Sequence, residues 1–207
     1  MAPTSFLLVR HGETLWNSEL RYQGHQPVAL SAKGVREAVC LRDRLAGRKV
    51  DGIYASDLPR AFQTAEIIAG AHPQVEVVPD STLRELNWGK FEGLTYAEIE
   101  ERFPNEVVAW RNDRMRCGPP GGENLMQLAD RVIPRLREIS ERHQGQTVLI
   151  VAHSGPLRVF ICSCLGLGLD RYWQMPLDNA SLSIVESYDE GAILTLFNDV
   201  CHCKDEA

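Results

Sequence analysis

The sequence predicts an α/β fold, a three-layer αβα sandwich with a mostly parallel central sheet, built as a single domain. Three observations predict it. Two short apolar runs, Phe6-Leu7-Leu8-Val9 and Val148-Leu149-Ile150-Val151, read as buried strands. Strand-like runs alternate with helix-like ones, the pattern of parallel strands joined by covering helices. The segment Glu123 to His143 sets Leu125, Leu128, Ala129, Val132, Ile133, Leu136 and Ile139 at helical spacing, which gives one core-facing stripe.

Taken in order, residues 5–10 form the first strand, 31–46 a helix, 51–55 a strand, and 57–70 a helix opened by Asp57 ahead of Pro59. A strand over 75–78 follows, and then helices. Thr95 with Glu98 three residues later is a capping box, and it opens a helix that ends at Phe103 because Pro104 stops it. Within 123–143, Pro134 should kink the helix. The chain returns to a strand at 147–152, and Gly155-Pro156 then opens a helix to about Leu165. Strands near 181–187 and 192–197 are joined by Asp189-Glu190-Gly191, a hairpin signal. Gly118-Pro119-Pro120-Gly121-Gly122 reads as a loop bordering the site. No linker or repeat divides the chain, so one domain spans 1–207, with a core over about 5–200 and a short acidic end, Lys204-Asp205-Glu206-Ala207.

At 207 residues, 44% hydrophobic and 24% charged, the chain can build its core without staples. Its net charge of -6 opposes a nucleic-acid partner drawn by a general basic field, so any anion site must be made locally. No window approaches the roughly 20 apolar residues that cross a bilayer. Met1-Ala2-Pro3-Thr4-Ser5 runs straight into the first strand with no signal-type stretch, which implies a cytoplasmic protein that binds no membrane. The six cysteines are expected as reduced thiols, with Cys162 and Cys164 in an apolar helix. Cys201-His202-Cys203 lacks the second ligand pair of a structural zinc site and reads as a frayed, thiol-bearing tail.

The two short apolar runs end in Arg10-His11-Gly12 and Ala152-His153-Ser154-Gly155. In an open α/β sheet, ligands bind outside the carboxyl ends of the strands where the winding reverses, so both imidazoles can reach one pocket. A phosphate monoester needs cations for its charge, a nucleophile, and an acid for the leaving oxygen. Arg10, and Arg60 in the first turn of a helix, offer planar forks suited to phosphate. The same cations disfavour a second proton on His11 and keep it nucleophilic, so that attack on phosphorus gives a phosphohistidine.

These residues resemble the histidine phosphatase superfamily, the phosphoglycerate-mutase-like enzymes. The resemblance runs through Leu8-Val9-Arg10-His11-Gly12-Glu13-Thr14 with Asn17 and Arg21-Tyr22-Gln23-Gly24, then Ser56-Asp57-Leu58-Pro59-Arg60-Ala61, Leu83-Arg84-Glu85-Leu86, Gly89-Lys90-Phe91-Glu92-Gly93-Leu94, Gly121-Gly122-Glu123 and Val151-Ala152-His153-Ser154-Gly155. It implies that His11 is the nucleophile, that Arg10, Arg60 and His153 form the phosphate pocket, that Asn17, Gln23, Gly24 and Ser154 line it, and that Glu85 is the proton donor. No metal and no other cofactor is implied.

Glu85 should be partly desolvated to act as acid and then base; its alternative role is an ion pair with a neighbour such as Arg84. Glu13 is expected to satisfy backbone amides or position an arginine, and Glu92 to stay outside catalysis. Trp88 and Phe91 read as core or pocket wall, and His25, His72, His143 and His202 as structural or exposed. Gln26-Pro27-Val28-Ala29-Leu30 departs from the family pattern of an Asp followed by Pro-Leu, which alters the rim.

Transfer of the phosphoryl group to water makes a phosphatase, and return to a hydroxyl makes a phosphoglycerate mutase. The short stretch Trp110 to Arg116 lacks the long Arg-bearing insertion of the mutases, so the chain is similar to the phosphatase branch, which includes alpha-ribazole phosphatases and broad-specificity phosphomonoesterases. Arg111, Arg114 and Arg116 either meet a second anionic group or form a solvated helix face. A non-catalytic regulator that binds phosphorylated ligands would have lost the nucleophile or the acid, and here His11, Arg10, Arg60, Glu85 and His153 are all present. The implied partner is a small phosphate ester, possible substrates including alpha-ribazole 5'-phosphate, and monomer and homodimer are both compatible with the sequence.

Overall fold

The computed structural model describes residues 3–206. Met1 and Ala2, and Ala207 at the acidic end, lie outside the described residues.

Strand β1 (Thr4–Arg10) lies at the middle of a sheet of order β3-β2-β4-β1-β5-β6, where β2 is Gly52–Ala55, β3 Val77–Pro79, β4 Thr147–Ala152, β5 Leu182–Tyr188 and β6 Gly191–Asp199. The pairs β3/β2, β2/β4 and β4/β1 are parallel; β1/β5 and β5/β6 are antiparallel. The expected strand over 75–78 is displaced to 77–79, because its partners are fixed by pairing Ile53 to Val77 and Ala55 to Pro79.

Alternation along each strand divides the core into two layers. Phe6, Leu8, Val148 and Ile150 point to one face, where α6 (Leu125–Arg142) and α7 (Ser154–Cys164) cover them. Leu7, Val9, Leu149 and Val151 point to the other, beneath α2 (Ala32–Leu45) and α3 (Pro59–Ala69). The predicted αβα sandwich is the observed one. In α6, Leu125, Leu128, Ala129, Val132, Leu136 and Ile139 are buried, and the helix continues through Pro134.

Caps explain the boundaries. Ser31 accepts from the Gly34 amide to start α2, and Thr95 with Glu98 forms the expected capping box of α4 (Tyr96–Arg102). Pro104 ends that helix and occupies the first turn of α5 (Pro104–Asn112), where a missing N–H costs nothing. Two further capping boxes, Thr14 with Asn17 on the short α1 (Leu15–Ser18) and Asn124 with Gln127 on α6, were not legible from spacing alone.

Two expectations are corrected here. Helix α3 is capped by Leu58 without a side-chain bond, because the Asp57 carboxylate is held by both arms of Arg84 at 2.6 Å. The tail is not frayed at Cys201-His202-Cys203: it turns in a 3-10 helix, and Arg44 donates to Asp199 and to His202 Nδ1. Among the described residues no helix is long and apolar enough to cross a membrane.

Candidate active site

Strand register builds the site. Arg10 lies opposite Ala152, so the next residues, His11 and His153, leave adjacent parallel strands side by side. The His11 amide donates to the Ala152 carbonyl at 3.0 Å, and the two rings stand 5.0 Å apart at 60°. The end of β2, beyond β4, brings Ser56 to the same edge and then starts α3 with Arg60 in its first turn.

His11 is buried at 3% exposure, and its Nδ1 lies 2.7 Å from the Gly12 carbonyl. A carbonyl only accepts, so Nδ1 carries the hydrogen and Nε2 holds the lone pair. Burial lowers the His11 pKa well below the usual imidazole range; Arg60 and Arg10 lower it further, against the opposing Gly12 bond. His153, fully buried, is lowered in the same direction by burial first and then by Arg60, His11 and Arg10. Its Nε2 meets the Ser56 hydroxyl at 2.8 Å, while Nδ1 has no hydrogen-bond partner.

Both arginines are held by backbone carbonyls and keep donors in reserve. Arg10 donates to Leu177, and Arg60 donates to Gly24 and Gln26. The Nε of each is buried and unpartnered. Arg60 is fully buried, and desolvation brings its pKa down to about 10. A buried guanidinium with an unused N–H is a standing demand for an anion.

Glu85 is 8% exposed, as the desolvation argument requires, and it does not pair with Arg84. Oε1 accepts from the amides of Leu86 (2.8 Å) and Gly155 (3.1 Å), and Oε2 from the Ser154 hydroxyl (3.2 Å) and the Gly155 amide (3.3 Å). The carboxylate therefore sits on the amino end of α7, where free amides and the helix dipole favour it. Gly155 has to be glycine for this contact, since a Cβ there would stand 2.0 Å from Oε1.

The remaining expected site residues act on the walls. Asn17 Oδ1 accepts from the Thr14 amide and from Asn179 Nδ2; Gln23 Nε2 donates to Thr14 Oγ1, with Oε1 buried and unpartnered. Gly24 gives its carbonyl to Arg60. Glu13 departs from expectation: it receives Ser31 and Lys33 rather than an arginine.

Several supporting residues were missed by sequence reasoning. Glu92 accepts the amides of His25 and Gln26, which pins the divergent rim loop. His25 Nε2 lies 2.9 Å from the Glu85 carbonyl, and Arg131 donates to that same carbonyl while forking onto Glu123. The glutamate of Gly121-Gly122-Glu123 was the available signal for Arg131. Trp88 and Phe91 do belong to a small hydrophobic cluster with Phe103, Tyr22 and Val107.

A cavity of about 710 Å³ opens beside Glu85 and Ser154, walled by Trp88, Trp110, Tyr172 and Arg158 among others. Among the described residues, no three His, Cys, Asp or Glu side chains are grouped to hold a metal ion.

The chain is similar to known proteins over most of its length. The family profile of the histidine phosphatase superfamily (branch 1) matches residues 6–200. Phosphoserine phosphatase 1 of Hydrogenobacter thermophilus is 34% identical over 196 residues, covering 95% of this chain and 92% of the relative. Phosphoglycerate mutase-like protein 4 of Arabidopsis thaliana is 40% identical over 154 residues, covering 73% of this chain and 67% of its own. The alpha-ribazole phosphatase structure from Shigella flexneri superposes with a TM-score of 0.88 at 29% identity, covering 95% of this chain and 97% of that one.

Proposed function

The chain belongs to the histidine phosphatase superfamily and is a phosphomonoester hydrolase, and from that premise we propose that it works through a phosphohistidine on His11, without a metal. The observation that carries the reading is the tautomer of His11 fixed by the Gly12 carbonyl, which leaves the lone pair on Nε2, while burial first and Arg60 and Arg10 second disfavour a second proton.

In the first step Nε2 forms the N–P bond as the ester P–O bond breaks, and protonated Glu85 gives its proton to the leaving oxygen. Oε2, held by the longer bonds, is the freer of the two oxygens for this transfer. Arg10 and Arg60 neutralise the phosphoryl oxygens. The Ser56 hydroxyl donates to His153 Nε2, which leaves an Nδ1–H to donate to the same group. In the second step water attacks phosphorus, the N–P bond breaks, and Glu85 takes the water's proton. Asn17, Gln23, Gly24 and Ser154 shape the pocket that receives the ester.

The whole of 1–207 works as one domain on this reading, because both core layers share the sheet that carries the site. Each chain holds its own complete set of groups, so monomer and homodimer would both be active. The free thiols of Cys117, Cys162, Cys164 and Cys201 favour a reducing, cytoplasmic setting.

The substrate is a small phosphorylated metabolite. The relatives' names point to phosphoserine and to alpha-ribazole 5'-phosphate. The test is phosphate release from a panel with both compounds, sugar phosphates, nucleotides and p-nitrophenyl phosphate in chelator, with 2- and 3-phosphoglycerate interconversion followed in parallel. Release with an acid-labile phosphoenzyme is the expected result. Fast interconversion with little release would make the enzyme a mutase, and silence on every ester would leave a phospho-ligand regulator.

A further inference from the structure

We propose that Arg158 sets substrate choice in this chain by receiving a second anionic group carried on the alcohol that leaves. This rests on the hydrolase reading above, since it takes Glu85 as the acid that marks the leaving-group side.

The cavity beside Glu85 and Ser154 lies on that side. At about 710 Å³ it is of a size that takes a whole small metabolite, well beyond a phosphate. Its walls are aromatic: the Trp88 and Trp110 rings meet edge to face at 5.8 Å, and Tyr172 closes another side.

Beyond Glu85, the acid of the proposed reaction, the carboxylates lining this cavity are engaged, and the unspent charge is positive. Glu123 is held in a fork by Arg131, Asp113 accepts the Met115 and Arg116 amides, and Asp170 pairs with Arg171. Arg111 is neutralised by Glu100. Arg158 pairs with no carboxylate among the described residues. Its guanidinium stacks over Tyr172 with Cζ 5.5 Å from the ring centre, and its Nε is buried with no hydrogen-bond partner. Arg114, over Trp110 at 4.9 Å, is the outer member of the same positive field.

Position gives the reach. Ser154 and Arg158 are four residues apart on α7 and share a face, so their Cβ atoms stand about 5–6 Å apart. Ser154 touches Glu85, so Arg158 springs from the helix one turn beyond the residue that contacts the acid, and both line the same cavity. An anion a few bonds along the leaving alcohol fits that spacing. A carboxylate and a second phosphate share this chemistry, and both present oxygens to a planar fork that is itself preorganised by the tyrosine face.

The test compares kcat/KM within matched pairs in chelator: phosphoserine against phosphoethanolamine and 3-phosphoglycerate against glycerol phosphate for a carboxylate, and propane-1,3-diol bisphosphate against its monophosphate for a second phosphate. The wild type should prefer the anionic member of at least one kind of pair by about tenfold or more, the scale of one charge-assisted hydrogen bond. Arg158→Met should bring that ratio to within about twofold, with Arg158→Lys between the two. Ratios near one in the wild type would overturn the proposal, as would an Arg158→Met loss equal on both members of every pair, which marks a positioning or structural role. Failure to cleave even p-nitrophenyl phosphate would instead bring down the hydrolase reading on which it rests.

Discussion

His11 and His153 face each other across 5.0 Å because Arg10 pairs with Ala152 in parallel register. The two rings are not alike. His11 has its proton fixed on the Gly12 side, while His153 is turned by Ser56 so that Nδ1 is left over. On the proposed mechanism one acts as a nucleophile and the other as a donor.

His11→Ala should remove turnover by at least about a thousandfold and leave no acid-labile phosphoenzyme, since on the proposed mechanism His153 turns an N–H, not a lone pair, toward phosphorus. His153→Ala should lower kcat by about 10²–10³, the scale of losing one oriented donor to the transition state, while still forming the labelled intermediate slowly. Rapid quench with labelled substrate checks both.

Glu85→Gln removes the proton and keeps the shape. Its deficit should grow with the pKa of the leaving alcohol, small for p-nitrophenol and about 10²–10⁴ for an alkyl ester. A Brønsted plot over substituted phenyl and alkyl phosphates reads this; a flat deficit would assign Glu85 a structural part only.

Gly155→Ala tests the same group from the other side. The added Cβ meets Glu85 Oε1 at 2.0 Å, the far end of a side chain that can swing, and the nearest other atom is Leu128 Cδ2 at 3.2 Å. The fold should therefore survive, with a melting temperature within a few degrees of wild type, while alkyl-ester hydrolysis falls far more than p-nitrophenyl phosphate hydrolysis. Calorimetry beside the two assays separates the effects.

Stability should fall on the acid side of neutrality. His11 and His153 are depressed in the folded chain below the ordinary imidazole value of 6.5, by burial first and by the arginines second. Below about that pH the unfolded chain binds protons that the folded chain refuses, so unfolding takes up protons and stability declines as pH drops, with a plateau above it. His72 and His202 shift the same way and add to the slope. Urea midpoints at pH 5.5 and 7.5 should differ clearly in the wild type and less in His153→Gln, if that variant folds to the same far-ultraviolet spectrum.

The sequence by itself determined the layers and most of the chemistry. Leu7 and Val9 against Phe6 and Leu8 already specify two buried faces, since the strand period is two and any one-residue slip would exchange them. Strand ends are likewise fixed by local apolar runs, which is why Arg10, His11, Arg60 and His153 were legible as a set. Only the tertiary structure decided what the polar groups do with their second bonds. Asp57 was freed from capping by Arg84, Glu13 went to Lys33, and His25 and Arg131 came to the Glu85 carbonyl from 60 and 46 residues away. The cavity with Arg158 also arises from α7, the Trp88 loop and the 3-10 turn Leu169–Gln174 meeting in space. Apolar periodicity is a local property of the chain, whereas a hydrogen bond is assigned by whichever partner the folded backbone brings within reach.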